Sequence, residues 1–170
     1  LTKFPVFIWP DIKKNKKHRA NKYGFGSSFG IEIEELHIDK ILPGDFNGDN
    51  IVDLVFLDYG EHDYDNHRNL MGGSIVVALS SGKKKYTTKK LTKPDNLWHH
   101  GVVVDFNNDG NLDVFFSGNQ TDNAFYLGDG NFNFKDVSDI SGITSPNSWS
   151  TGVSVLDINK DGLLDIYVCK

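Results

Sequence analysis

Three stretches decide the fold: GDFNGDNIVDLVFL at residues 44–57, VDFNNDGNLDVFFS at 104–117 and LDINKDGLLDIYVC at 156–169. Each contains the nine-residue pattern DxNxDxxxD, as Asp45, Asn47, Asp49 and Asp53, then Asp105, Asn107, Asp109 and Asp113, then Asp157, Asn159, Asp161 and Asp165. Successive copies start 60 and then 52 residues apart, the scale of one repeated supersecondary unit. The apolar positions keep the same register: position 2 is Phe46, Phe106 or Ile158, position 8 is Val52, Leu112 or Leu164, and position 10 is Leu54, Val114 or Ile166. A single DxNxD is compatible with an ordinary Asx-rich turn. Three copies with matched flanks predict a dedicated loop.

The residue types at these spacings suit calcium, a hard cation that takes six to eight oxygens at roughly 2.3 to 2.6 Å. A short loop supplies them by wrapping around the ion, so alternate positions carry oxygen. Positions 1, 3 and 5 offer side chains, the backbone carbonyl of position 7 (Ile51, Asn111 or Leu163) offers another donor, and the Asp at position 9 closes the shell. About three Ca²⁺ ions are therefore expected, one per loop. Position 6 must turn sharply and holds Asn50, Gly110 or Gly162, the residue types that best tolerate positive φ, and Gly48 stands beside that turn in the first loop. An EF-hand would need a Glu at position 12 and helices on both sides. Position 12 is Phe56, Phe116 or Val168, and the flanks are β-branched and aromatic, which predicts strands. Dockerin-like loops fail on the same helical requirement.

The expected fold is all-β, with units of four antiparallel strands and the acidic loop in the hairpin between the first two. In one unit, spanning 93–140, the strands are expected at 101–104, 113–117, 124–127 and 132–137, with a tight turn at 128–130. The unit before it, 37–92, places them at 38–42, 53–57, 74–79 and 86–91, with a turn at Gly82. Residues 141–170 make the first half of a third unit. Pro94 and Pro146 each stand eleven residues before their unit's first loop aspartate, whereas Trp98 and Trp149 differ by one residue in that alignment. The slip predicts an extra residue, a bulge, in the first strand of the third unit. Residues 1–36 read as part of a preceding unit or an N-terminal extension, with strands at 4–9 and 29–36 around a basic run, Lys13 to Arg19, that reads as a solvated loop, with contact to an anionic polymer as the alternative. The glycines of YGFGSSFG do not match a dinucleotide fingerprint.

At 170 residues the chain can bury one substantial core, and 38% hydrophobic with 24% charged residues is ordinary for a globular domain. No apolar run approaches the roughly 20 residues that span a bilayer. The formal charge of −5 is mostly ligand charge, since the loops hold nine Asp and three Ca²⁺ would bring the net to +1. Nothing in that balance suggests a nucleic-acid partner. With three carboxylates per loop, affinity is expected on the order of 10⁻⁴ to 10⁻³ M, so the sites would fill where calcium is millimolar: outside the cell, on its surface or in a periplasm. The lone Cys169 reads as a small buried hydrophobe. The chain reads as a fragment of something longer.

These loops and flanks resemble FG-GAP/VCBS repeats, the calcium-binding blades of integrin α-chain propellers and of many secreted bacterial proteins. The stretch NAFYLGDGNFNFKDVSDISGITSPNSWSTGVSVLDINKDGLLDIYV is similar to bacterial repeats of the ASPIC/UnbV and cartilage-acidic-protein group. The resemblance covers residues 37–170 and implies a calcium-stabilised β-propeller, in such proteins of about seven blades, on a secreted or cell-surface protein. Three motifs are too few to close such a ring.

In an antiparallel four-stranded unit the first-to-second and third-to-fourth turns lie at one end, and the other connections lie at the opposite end. The three acidic loops are thus expected on one face, where they stiffen hairpins. At the opposite end, the long connection 59–74 carries His62, Asp63, Asp65, His67 and Arg68, and the connection entering the next unit carries Trp98, His99 and His100. These residues form either a ligand or transition-metal patch or merely polar loops with incidental histidines. No GxSxG, HExxH or Cys–His constellation points to an enzyme. Asn119-Gln120-Thr121 is a glycosylation sequon expected on a loop. The function expected is non-enzymatic adhesion or recognition of a protein or carbohydrate ligand, with a scaffold for a polysaccharide-degrading enzyme as the alternative and a purely structural repeat as a third.

Overall fold

A computed structural model describes residues 38–58, 60–63, 68–82, 85–92, 97–119, 121–145 and 149–170. The strands expected at 4–9 and 29–36, the basic run 13–19, and Pro94 and Pro146 lie outside the described residues. In chain order the elements are β1 (Ile38–Gly44), β2 (Asp53–Asp58), β3 (Gly60–Asp63), β4 (Arg68–Gly72), β5 (Ile75–Ser80), β6 (Tyr86–Lys90), β7 (Leu97–Val104), β8 (Asp113–Asn119), β9 (Ala124–Gly128), β10 (Phe134–Asp136), the one-turn helix α1 (Ser138–Ser141), β11 (Gly152–Leu156) and β12 (Asp165–Cys169).

Two four-stranded antiparallel sheets result, ordered β1-β2-β5-β6 and β7-β8-β9-β10, and β11 pairs with β12 as a two-stranded sheet. Among the described residues no closed ring of sheets is formed. The inner strands β2 and β8 are covered on both faces, which is why they read as near-continuous apolar runs. Along β2 and β5 the side chains alternate. Val55, Leu57, Ile75 and Val77 join Phe46 in the main core, where they meet Trp98, Val114, Phe116, Ala124 and Tyr126 of the second sheet. Phe56, Val76 and Ala78 form a second cluster on the other face of the first sheet. The main core is thus the seam between consecutive sheets, and Trp98 meets Phe116 edge-on at 6.2 Å within it.

Several expectations are corrected. The connection 59–74 contains a hairpin, β3 with β4, rather than only loop. β7 begins at Leu97, not at residue 101, because a bulge between Trp98 and His100 lets the strand continue through the histidines. The third unit needs no bulge: β11 and β12 stay in unbroken register from Gly152↔Cys169 to Leu156↔Asp165. Phe132 is not in a strand, since its φ of +65° places it in the turn before β10. Cys169 is exposed. Its counterparts Leu57 and Ser117 are fully buried between neighbouring strands, whereas β12 pairs only with β11 among the described strands.

Candidate metal centres

Each acidic loop is held by the same set of hydrogen bonds. At position 1, Asp45, Asp105 and Asp157 accept with Oδ1 from the N–H of position 5 at 3.2, 3.1 and 3.1 Å, and with Oδ2 from the N–H of position 6 at 2.8, 2.9 and 2.9 Å. At position 3, Asn47, Asn107 and Asn159 accept from that same position-5 N–H and donate through Nδ2 to its carboxylate. The position-5 aspartates, Asp49, Asp109 and Asp161, in turn accept from the N–H of Ile51, Asn111 and Leu163. Position 9 closes the loop: Asp53, Asp113 and Asp165 accept from the N–H of position 2 at 3.0, 2.9 and 2.8 Å.

The sharp turn falls at position 6 as expected, with φ of +63°, +87° and +89° at Asn50, Gly110 and Gly162. A second left-handed residue at position 4 was not foreseen. Gly48, Asn108 and Lys160 adopt φ of +71°, +57° and +62°. Glycine and asparagine at this position carried a faint signal, and lysine carried none.

The ninth aspartate has a role that no local reading could find. Asp53 Oδ1 accepts from the N–H of Ser80, 27 residues away, and Asp113 Oδ1 from the N–H of Gly128, 15 residues away, so each ties its loop to the end of the third strand of its sheet. Both carboxylates are fully buried. Burial raises their pKa values above the ordinary 3.8, the N–H bonds oppose that shift, and the nearby charges of positions 5 and 1 add to it. At position 5, by contrast, the N–H of Asn111 and then the Asn107 amide hold Asp109 below its ordinary value, and Leu163 and Asn159 do the same for Asp161.

The donor set of each loop, three carboxylates, an amide oxygen and backbone carbonyls, is made of hard oxygens and fits calcium. The carboxylates are turned to the loop's own N–H groups, and among the described residues no three His, Cys, Asp or Glu side chains converge as a ready-made ion cage. Beside the first two loops, the turn between β9 and β10 adds a smaller version of the same device. Asp129 accepts from the N–H groups of Asn131 and Asn133 and from Asn133 Nδ2, contacts that lower its pKa. A cleft of about 360 Å³ opens between this turn and the two loops, lined among others by Asp45, Asn47, Asn111 and Asp129.

The residues expected at the opposite end fall on different elements. Trp98 is only 2% exposed and belongs to the core, so it offers no ring to a surface patch. His99 and His100 lie within β7: His99 Nε2 is 2.6 Å from Asn119 Nδ2, and His100 Nε2 is 2.6 Å from Lys40 Nζ on the neighbouring sheet. Burial, and then the Lys40 ammonium, lower the His100 pKa. His62 and Asp63 stand on β3, and Asp65 and His67 lie outside the described residues. The sequon asparagine is the last residue of β8 rather than part of a loop, and it is 5% exposed.

A family model described as FG-GAP-like repeat matches the chain twice, over residues 45–116 and 105–168. Each match starts at the first aspartate of an acidic loop. Comparison with curated proteins gives no match.

Proposed function

Since this chain belongs to the FG-GAP-like repeat family, we propose that it is a calcium-binding β-propeller segment of a secreted or cell-surface protein, acting in adhesion or in recognition of a protein or carbohydrate. The family is generally non-enzymatic. The observation that carries the reading is the repetition of one loop geometry, bond for bond, at three places whose surroundings differ. Each loop concentrates three carboxylates within nine residues, and a divalent cation would offset their mutual repulsion while fixing the hairpin. The ions have a structural role: they stiffen the turns at one end of the blades and leave the other end to a partner. Asp45, Asn47, Asp49, Ile51 (through its carbonyl) and Asp53 form the first ligand set, with the corresponding residues of the other two loops.

The test is thermal unfolding in about 1 to 5 mM calcium against excess chelator, because binding to the native state alone raises the midpoint by mass action. The midpoint is expected to rise clearly, and Asp105→Asn combined with Asp109→Asn is expected to remove one ion of about three in a titration. An unchanged midpoint would sink the calcium reading. A binding screen against glycans and matrix proteins addresses the partner.

A further inference from the structure

The outer edge of the first sheet carries a charge unlike that of the whole chain. From Ser81 to Pro94 the sequence holds six lysines and no acid, in a protein of net charge −5. Lys89 and Lys90 stand on β6 and Lys85 immediately before it, and all three are exposed, as are Thr87 and Thr88 between them. Among the described strands β6 is the last in its sheet, and no described strand pairs with its outer backbone edge. Side chains alternate along it at roughly 3.3 Å per residue, which sends Thr87 and Lys89 to one side of the edge and Thr88 and Lys90 to the other. Among the described residues no acid pairs with Lys85, Lys89 or Lys90. Lys89 Nζ lies 5.9 Å from the centre of the Phe132 ring and 3.4 Å from the Phe132 carbonyl, contacts that orient the ammonium without neutralising it.

Lysine on an edge strand deters edge-to-edge pairing. β10, the outer strand of the second sheet, shows the economical version, FKD, where Lys135 is followed at once by Asp136. The surplus on β6 exceeds it. We infer that β6 is a docking edge for an acidic polysaccharide, a linear chain bearing sulfate or carboxylate groups. Its anions pair with Lys85, Lys89 and Lys90 as point charges, and its ring hydroxyls meet Thr87 and Thr88. A nucleic acid fits less well, because among the described residues the edge offers no free aromatic face for base stacking: Tyr86 is half-buried and Phe132 is capped by Lys89. The inference rests on the recognition role proposed above but not on calcium, so the two can fail separately.

The experiment measures binding of the whole chain to heparin (sulfate-rich), to polygalacturonate (carboxylate only) and to single-stranded DNA, each with calcium and with chelator. At least one polysaccharide is expected to bind more tightly than DNA, with affinity falling as salt rises and unchanged by the chelator. Lys85→Gln/Lys89→Gln/Lys90→Gln should weaken it roughly tenfold or more. The double variant Lys85→Gln/Lys90→Gln, which leaves the Phe132 contact intact, should lose part of that, and Lys135→Gln none. Full affinity in the triple variant would overturn the inference and point to the basic run 13–19. Tighter binding to DNA, loss of binding on chelation, or no binding to either polysaccharide would overturn it as well. Heparin binding alongside a calcium-independent melting temperature would sink the calcium reading and leave this one standing.

Discussion

The second and third repeats share a loop and differ in what surrounds it. Asp113 and Asp165 make the same bond to the N–H of position 2, yet Asp113 is fully buried and also holds Gly128, while Asp165 is half-buried with no third strand to hold among the described residues. The neighbouring positions follow suit. Phe115 is 0% exposed and its counterpart Tyr167 is 57% exposed; position 2 runs from Phe46, 2% exposed and edge-on to Phe134 of the next sheet, to Ile158 at 57%. The loop conformation is therefore a local property of its nine residues. Its coupling to the core is a separate property, supplied by the third strand and by the following sheet.

That separation can be broken most directly at position 9. In chelator, Asp113→Ala should cost about 3 kcal/mol, because it strands the buried N–H of Gly128 and the part-buried N–H of Phe106, whereas Asp165→Ala should cost about 1 kcal/mol. Equal losses in denaturant titrations would show that the third strand adds nothing. Glycines should sort the same way. A Cβ at Gly128 would lie 2.3 Å from the Leu112 carbonyl oxygen, so Gly128→Ala should cost about 2 kcal/mol, while at Gly152 it would meet Cys169 Cβ at an ordinary 3.9 Å and the effect should stay within about 0.5 kcal/mol.

Alkaline unfolding probes the third strand from another side. Burial, then the charge and hydrogen bond of Asp136, push the Tyr126 phenol up to about 12. The unfolded chain releases this proton near pH 10 and the folded one does not, so the stability conferred by the neutral phenol is intact below pH 10 and lost as pH rises through about 12. Comparing Tyr126→Phe with the wild type should isolate a loss of about 1 to 2 kcal/mol, reduced from the full shift because Asp136 is exposed and its charge is screened. The smallest effect belongs to position 4. Lys160→Gly should stabilise the third loop by about 0.5 kcal/mol by relieving a left-handed lysine, and Asn108→Gly should be nearly neutral in the second. A destabilising Lys160→Gly, seen by thermal melting, would show that the lysine side chain has a role there.

What could be read in the sequence follows the same division. The loops and the strands that flank them were legible because oxygen spacing, turn residues and alternation all act within about a dozen residues. The bonds from Asp53 to Ser80 and from Asp113 to Gly128 were not, since they depend on which strand lies alongside. Trp98, His99 and His100 resembled a connection because two histidines interrupt the apolar pattern. The bulge beside Trp98 keeps them in β7, with Trp98 in the core and His99 and His100 against Asn119 and Lys40. Phe132 looked like the start of a strand by alternation, but Asp129 organises the turn up to Asn133 and leaves only Phe134–Asp136 to pair. Cys169 followed the apolar pattern of β12 and lacked the cover that its counterparts have.

The buried amide of Asn119 sets folding and modification in competition. An oligosaccharide can be attached only to an exposed side-chain nitrogen, and here that nitrogen faces His99 at 2.6 Å at the end of β8. Transfer must therefore precede the pairing of Leu97 with Asn119, and once made it would prop that end of the sheet open. Chain produced in a glycosylating host is expected to split into an unmodified, closed population and a modified one frayed between β7 and β8. Mass spectrometry with hydrogen exchange would resolve the two, and Asn119→Gln or a bacterial host should return a single species.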